Sequence, residues 1–306
     1  MDIYLPIAEV SVNAPLLIAL GALVGFISGL FGIGGGFLMT PALIFLGIPP
    51  SVAVASLSQH VVASSASSVI AYSRRRSVDI RMGAVLAAGG VVGSFAGVEI
   101  FRWLRLLGQA DLVVNISYLI FLGVIGGLML VESLGQVLRA RRGDTAPPPR
   151  DKRPMWLYGL PLKIRFPRSR LYISVIPPIV LGVFVGVLSA IMGVGGGFIL
   201  VPAMIYLLRM PAQVVVGTSL MQIIITTSVT CILQSGRNQT VDIVLGTLLL
   251  IGGVLGAQLG AKASARFRAE ELRAILALIV LLVGLRMGLS LFITPSDPFI
   301  LVSGAG

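Results

Sequence analysis

Ten blocks of mostly apolar residues, several of them near the length a helix needs to span a bilayer, constrain this chain more than any other feature. They fall at about 15–31, 36–47, 51–72, 82–101, 111–133, 174–191, 197–208, 212–235, 243–261 and 272–292. A helix of about 20 residues crosses the hydrocarbon core and satisfies its own backbone N–H and C=O groups where no water can. The blocks 36–47 and 197–208 are too short to cross upright and read as half-helices or re-entrant pieces packed inside protein. Only 11% of the 306 residues are charged and 56% are hydrophobic, against about 25% charged in a soluble domain. A soluble fold is excluded, and the expectation is an all-α polytopic membrane protein.

The formal charge of +11 is a topological signal rather than a nucleic-acid one, because the basic residues are concentrated in alternate loops. Nineteen Lys and Arg lie in odd-numbered loops, in the stretches Arg74–Arg81, Arg139–Arg170, Arg209 and Lys262–Arg273. Three lie in even-numbered loops, Arg102, Arg105 and Arg237, while Arg286 falls inside the last block. The positive-inside rule then makes the odd loops cytoplasmic and puts both termini outside. No basic n-region precedes the first apolar run, so no cleavable signal peptide is expected. The single cysteine, Cys231, sits in an apolar block and reads as a small buried filler.

The chain repeats itself. Gly32-Ile33-Gly34-Gly35-Gly36-Phe37 with Pro41 recurs 161 residues later as Gly193-Val194-Gly195-Gly196-Gly197-Phe198 with Pro202. The same offset pairs Pro50 with Pro211 and Ser58 with Ser219, and an offset of 163 pairs Asp79 with Asp242, Gly83 with Gly246 and Gly90 with Gly253. Each half holds five blocks, and an odd number per repeat makes the second half enter the membrane in the opposite sense. The expected organisation is a transmembrane repeat over 10–133, a basic cytoplasmic linker over 134–173 and an inverted second repeat over 174–293. The linker contains Pro147-Pro148-Pro149 and suits an extended or disordered tether, with Trp156–Phe166 resting on the inner leaflet or simply solvated.

Gly34, Gly35 and Gly36, and their counterparts Gly195, Gly196 and Gly197, lie where the chain leaves one helix and starts a short one. Free N–H groups and the positive dipole end at Phe37 and Phe198 can hold an anion without a buried cation. Glycines also permit close helix packing, but a triple repeated beside short segments favours a site. The third block adds Ser58, Gln59 and His60 with Ser65 and Ser68, and the eighth adds Thr218, Ser219 and Gln222 with Thr226. These side chains either line a cavity or bond between helices. His60 either meets an anion, changes protonation or is structural. Asp79 and Asp242 are expected to cap the helices that follow, Glu99 and Glu132 to sit near block ends, and Arg286 to serve a site or snorkel outward.

These motifs resemble the TauE/SafE family of sulfite and organosulfonate exporters. The resemblance rests on the two glycine motifs with Pro41 and Pro202, on Gly217-Thr218-Ser219 after Pro211, and on the Arg-rich turn before Val78-Asp79. It covers both halves and leaves out the linker and termini. It implies a bacterial inner-membrane carrier of a small anion such as sulfite, thiosulfate or an organosulfonate, with substrate held at the repeat interface. Ser56-Leu57-Ser58-Gln59-His60 stands where the second half has Gly217-Thr218-Ser219-Leu220-Met221, which makes the expected site asymmetric.

No G-x-x-x-x-G-K-[ST] run is present, so a gradient drives transport or transport is facilitated. The expected partners are a small anionic solute and the lipid bilayer, with no nucleic acid and no cofactor; a proton or sodium coupling ion and homo-oligomerisation stay open. A channel or a carboxylate carrier is the alternative. An intramembrane enzyme would need a nucleophile with a base or a metal cluster, which one histidine, one cysteine and no buried carboxylate pair do not supply.

Overall fold

The computed structural model of the protein describes residues 2–31, 35–74, 77–141, 161–169, 171–264 and 269–292. Helices occupy all ten apolar blocks. They are α1 Ala14–Phe31, α2 Gly36–Phe45, α3 Pro50–Arg74, α4 Ile80–Leu106, α5 Ala110–Arg141, α6 Ile176–Met192, α7 Gly197–Tyr206, α8 Ala212–Leu233, α9 Ile243–Ala263 and α10 Ala269–Phe292. By length and composition α1, α4, α9 and the stretch Val214–Asn238 are each able to cross a membrane. Helix α3 has the length, with 25 residues, but a middle rich in hydroxyl and amide side chains. At 10 residues each, α2 and α7 are about 15 Å long, half the hydrocarbon thickness.

Two hairpins extend the all-α expectation. Strand β1, Asp2–Leu5, pairs with β2, Val10–Asn13, and β3, Lys163–Phe166, pairs with β4, Leu171–Ser174, both antiparallel. The second hairpin repeats the first at an offset of 161, residue for residue and in the same register. Four-residue strands carry too few positions for their alternation to stand out in sequence; in the second, Phe166, Leu171 and Ile173 face inward while Tyr172 faces out. The segment read as a tether over 134–173 is therefore ordered at both ends, since α5 continues to Arg141 and the hairpin fills Lys163–Ser174. The Pro147-Pro148-Pro149 run and Trp156 lie outside the described residues.

The helices cross between halves. Helix α1 packs along α9, and α6 packs along α4. Both crossings bring backbones into contact through glycine: a Cβ on Gly25 would lie 2.3 Å from Gly253 O, and one on Gly186 would lie 2.3 Å from Gly90 O. Without side chains at these four places the helices approach closely enough for dispersion and backbone contacts to hold them where lipid supplies no hydrophobic drive. Helices α3 and α8 pack on each other between these two pairs. The core is centred on the short helices, where Phe37, Met39, Leu43, Met192, Val194 and Phe198 are buried together.

A candidate anion site at two helix breaks

Glycine decides where α6 stops and where both short helices start. Helix α6 ends on Gly193 at φ 68°, followed by Gly195 at 73° and Gly196 at 72°, which starts α7. In the first half Gly35, at φ 69°, starts α2. Left-handed backbone of this kind costs a residue with a Cβ about 1 kcal/mol or more. The expected site residue Gly34 lies outside the described residues. Neither Gly35 nor Gly196 offers a side chain to cap its helix, and among the described residues neither start has a side-chain cap.

The two breaks meet. A Cβ on Gly36 would lie 2.7 Å from Val194 Cα, so the start of α2 rests directly on the second break. The rings of Phe37 and Phe198 stack with centroids 5.7 Å apart, and Phe121 of α5 packs edge-on against Phe198 at 6.4 Å. Gly195 sits between α3 and α8: its missing Cβ would touch Val61, Ile223 and Thr227 Oγ1. On the helices that meet here several fully buried hydroxyls have no hydrogen-bond partner among the described residues: Ser58, Ser65 and Ser68 on α3, Thr227 on α8, and Ser28 and Ser189 on the helices that lead into the breaks.

This arrangement draws on both halves of the chain, and likeness to known proteins covers both halves too. The family described as "Sulfite exporter TauE/SafE" matches residues 17–287. The chain belongs to the TauE/SafE family. It is a multi-pass membrane protein whose relatives are membrane transporters by name. A "Probable membrane transporter protein YunE" of Bacillus subtilis (strain 168) is 26% identical over 79% of this chain and 86% of its own length. A "Probable membrane transporter protein" of Xylella fastidiosa (strain 9a5c) is 29% identical over 77% of this chain and 79% of its own. The "Sulfite exporter TauE/SafE family protein 3" of Arabidopsis thaliana is 31% identical over 39% of this chain and 26% of its own. No solved structure gives a significant match.

Within this TauE/SafE protein the polar residues of α3 divide between two faces. Ser58, Ser65 and Ser68 share the side of Val61, which touches the Gly195 turn. Gln59 and His60 turn instead toward α9, where they fill the space left by Gly246 and Gly253. His60 Nδ1 lies 2.9 Å from Leu249 O. A carbonyl only accepts, so Nδ1 carries the hydrogen, and Nε2 of the neutral ring is an unpartnered acceptor. The neutral ring therefore offers an anion no donor. On α8, Gln222 Nε2 donates to Thr226 Oγ1 at 2.8 Å, and both lie against Gly90 of α4.

The offset between α3 and α8 is also corrected. The sequence reading paired them at 161, joining Pro50 to Pro211 and Ser58 to Ser219; their contacts pair them at 162. The carbonyls of Pro49 and Pro211 accept the first-turn N–H groups of their helices alike. Ser56 Oγ accepts from Asp242 N at 2.8 Å, as Thr218 Oγ1 accepts from Asp79 N at 3.0 Å. Tyr72 OH donates to Gly29 O, and Gln234 Nε2 to Ala190 O. The cause is the longer connection before α8, which starts at Ala212 where α3 starts at Pro50. The π turn at Gln234–Asn238 absorbs one further residue, since such a turn is a one-residue insertion, and the offset reaches 163 at Asp242. In this register His60 stands opposite Gln222, Ser65 opposite Thr227, and Ser58 opposite Leu220.

Thr218 is committed to structure, since besides receiving Asp79 N it donates to Val214 O at 2.7 Å. Ser219 donates to Val216 O at 2.8 Å. Asp79 and Asp242 cap α4 and α9 as expected, accepting from Met82 N and Leu245 N. Glu99 pairs with Arg237 at 2.9 Å, whereas the side chain of Glu132 lies outside the described residues. The Arg286 guanidinium lies 4.5 Å over the Phe45 ring, a cation–π contact at the end of α2, away from the breaks.

Proposed function

We propose that this protein is a secondary carrier that exports a small anion, such as sulfite, thiosulfate or an organosulfonate, across a bacterial inner membrane. The observation that carries the reading is the meeting of two glycine breaks, each with an uncapped short helix and unpartnered buried hydroxyls nearby. Helix N-termini and neutral donors attract an anion and still release it, because no full positive charge holds it. The sulfur chemistry comes from the family description.

In this reading the ten segments form two inverted five-segment repeats, with basic loops cytoplasmic and both termini outside. Alternating access follows from one repeat, with its break, rocking against the other. The site comprises the breaks from Gly34 to Phe37 and Gly195 to Phe198, with hydroxyls of α3 and α8.

The test is thermal stabilisation of purified protein by sulfite, thiosulfate, sulfoacetate, taurine, sulfate and simple carboxylates, since a bound ligand raises apparent stability by mass action. A shift confined to sulfur oxyanions or sulfonates is expected. A flat panel from folded protein contradicts the carrier reading, and a shift with carboxylates alone reassigns the solute.

A further inference from the structure

Ser28 and Ser189 lie 161 residues apart, at equivalent places on α1 and α6. Both are fully buried and neither hydroxyl has a partner. They share this with Ser58, Ser65, Ser68 and Thr227, whereas several other helical hydroxyls here donate to the carbonyl one turn back. Thr40 does so to Gly36, Ser94 to Gly90, Thr218 to Val214 and Thr230 to Thr226. The same bond is sterically open to any helical serine. An unmade buried hydrogen bond costs about 1–3 kcal/mol, so two equivalent serines that forgo it point to a partner outside the chain.

Position says where that partner sits. A Cβ built on Gly35 would lie 3.3 Å from Ser28 Oγ, so this hydroxyl abuts the residue that starts α2. Ser189 holds the same place in the helix leading to Gly196 and α7. On the other side of the second break, Thr227 Oγ1 is likewise unpartnered and would lie 3.2 Å from a Cβ on Gly195. The stacked Phe37 and Phe198, 0% and 4% exposed, lie in the first turns of the two short helices. Hydroxyls and helix N-termini without a cation suit an oxyanion.

We propose that Ser28 and Ser189 are direct contacts for the oxyanion group of the transported solute. The inference rests on the carrier reading above and adds two named contacts to its site.

The experiment compares wild type, Ser28→Ala and Ser189→Ala in detergent, measuring melting temperature without ligand and then the apparent Kd for sulfite, thiosulfate, sulfoacetate and taurine. Removing an unpartnered buried hydroxyl leaves the ligand-free melting temperature unchanged or raises it. Losing a hydrogen bond to an anion weakens sulfite binding about ten- to a hundredfold. Variants that bind sulfite as wild type does overturn the serine assignment and leave the carrier reading standing. So do variants that melt lower without ligand, which would mark the hydroxyls as packing groups. Failure of wild type to bind any of the four overturns the carrier reading and this inference with it.

Discussion

The carboxylate of Asp79 holds Ser169 by two hydrogen bonds to one oxygen, 2.9 Å from the backbone N–H and 2.6 Å from the hydroxyl. Asp79 belongs to the first half and Ser169 to the hairpin that introduces the second. The reciprocal bond joins Asp242 of the second half to Ile7 N in the first hairpin, at 3.1 Å. Each aspartate also caps its own helix, so one side chain fixes a helix start and a hairpin from the other half.

Asp79→Ala is therefore expected to lower stability by about 2–4 kcal/mol, the sum of a lost cap and stranded buried donors. In a cycle with Ser169→Ala the two changes should couple by about 1–3 kcal/mol, read from denaturant or thermal melts of the four proteins. Additive losses would mean that the hairpin does not depend on Asp79.

Glycine substitutions should sort by what the new methyl group meets. On Gly253 a Cβ would lie 2.1 Å from His60 Cε1, where α9 meets α3, whereas on Gly127 it would meet nothing within 4 Å. Gly253→Ala should cost about 1–3 kcal/mol through overpacking, and Gly127→Ala about zero or a slight gain. Equal melting temperatures for the two variants would contradict the close crossing of α1, α3 and α9.

The corrected helix register makes its own prediction. Ser56→Ala and Thr218→Ala each remove an acceptor for a buried aspartate N–H, so both should lower stability by about 1–3 kcal/mol. Anion affinity in the folded fraction should stay within about twofold of wild type. A large loss of affinity in Thr218→Ala with unchanged stability would return Thr218 to the site.

Much of the architecture was legible in the residues. Apolar length located all ten helices, because a segment in lipid must satisfy its own backbone and so announces itself by composition. The glycine triples marked the breaks because glycine adopts φ near +70°, as at Gly195 and Gly196, without the cost a Cβ brings. What could not be read depends on contacts between distant residues. The hairpins were too short to show a period, and identities at Pro50 and Ser58 suggested an offset that the hydrogen bonds of Ser56 and Tyr72 correct. His60 and Ser58 are near neighbours in sequence, yet the helix turns one toward α9 and the other toward the break. Ser28 and Ser189 stood within the repeat, but only their missing partners single them out.

Sidedness is checked by single cysteines in a Cys231→Ser background. A cysteine at Ser77, beside the Arg-rich turn, should react only with reagents that reach the cytoplasm, and one at Ser235 only with impermeant reagents added outside. Labelling of both from the same side would contradict the inverted arrangement of the halves.

The most direct test of the account is counterflow. Proteoliposomes loaded with unlabelled sulfite are diluted into a trace of sulfur-radiolabelled sulfite, with no ion gradient imposed. A carrier that alternates around the two glycine breaks exchanges solute faster than it moves it alone, so label accumulates transiently inside and Ser28→Ala reduces the overshoot. Entry of label that is no faster from loaded than from empty vesicles, and that does not saturate with sulfite, would contradict alternating access and place the protein among channels.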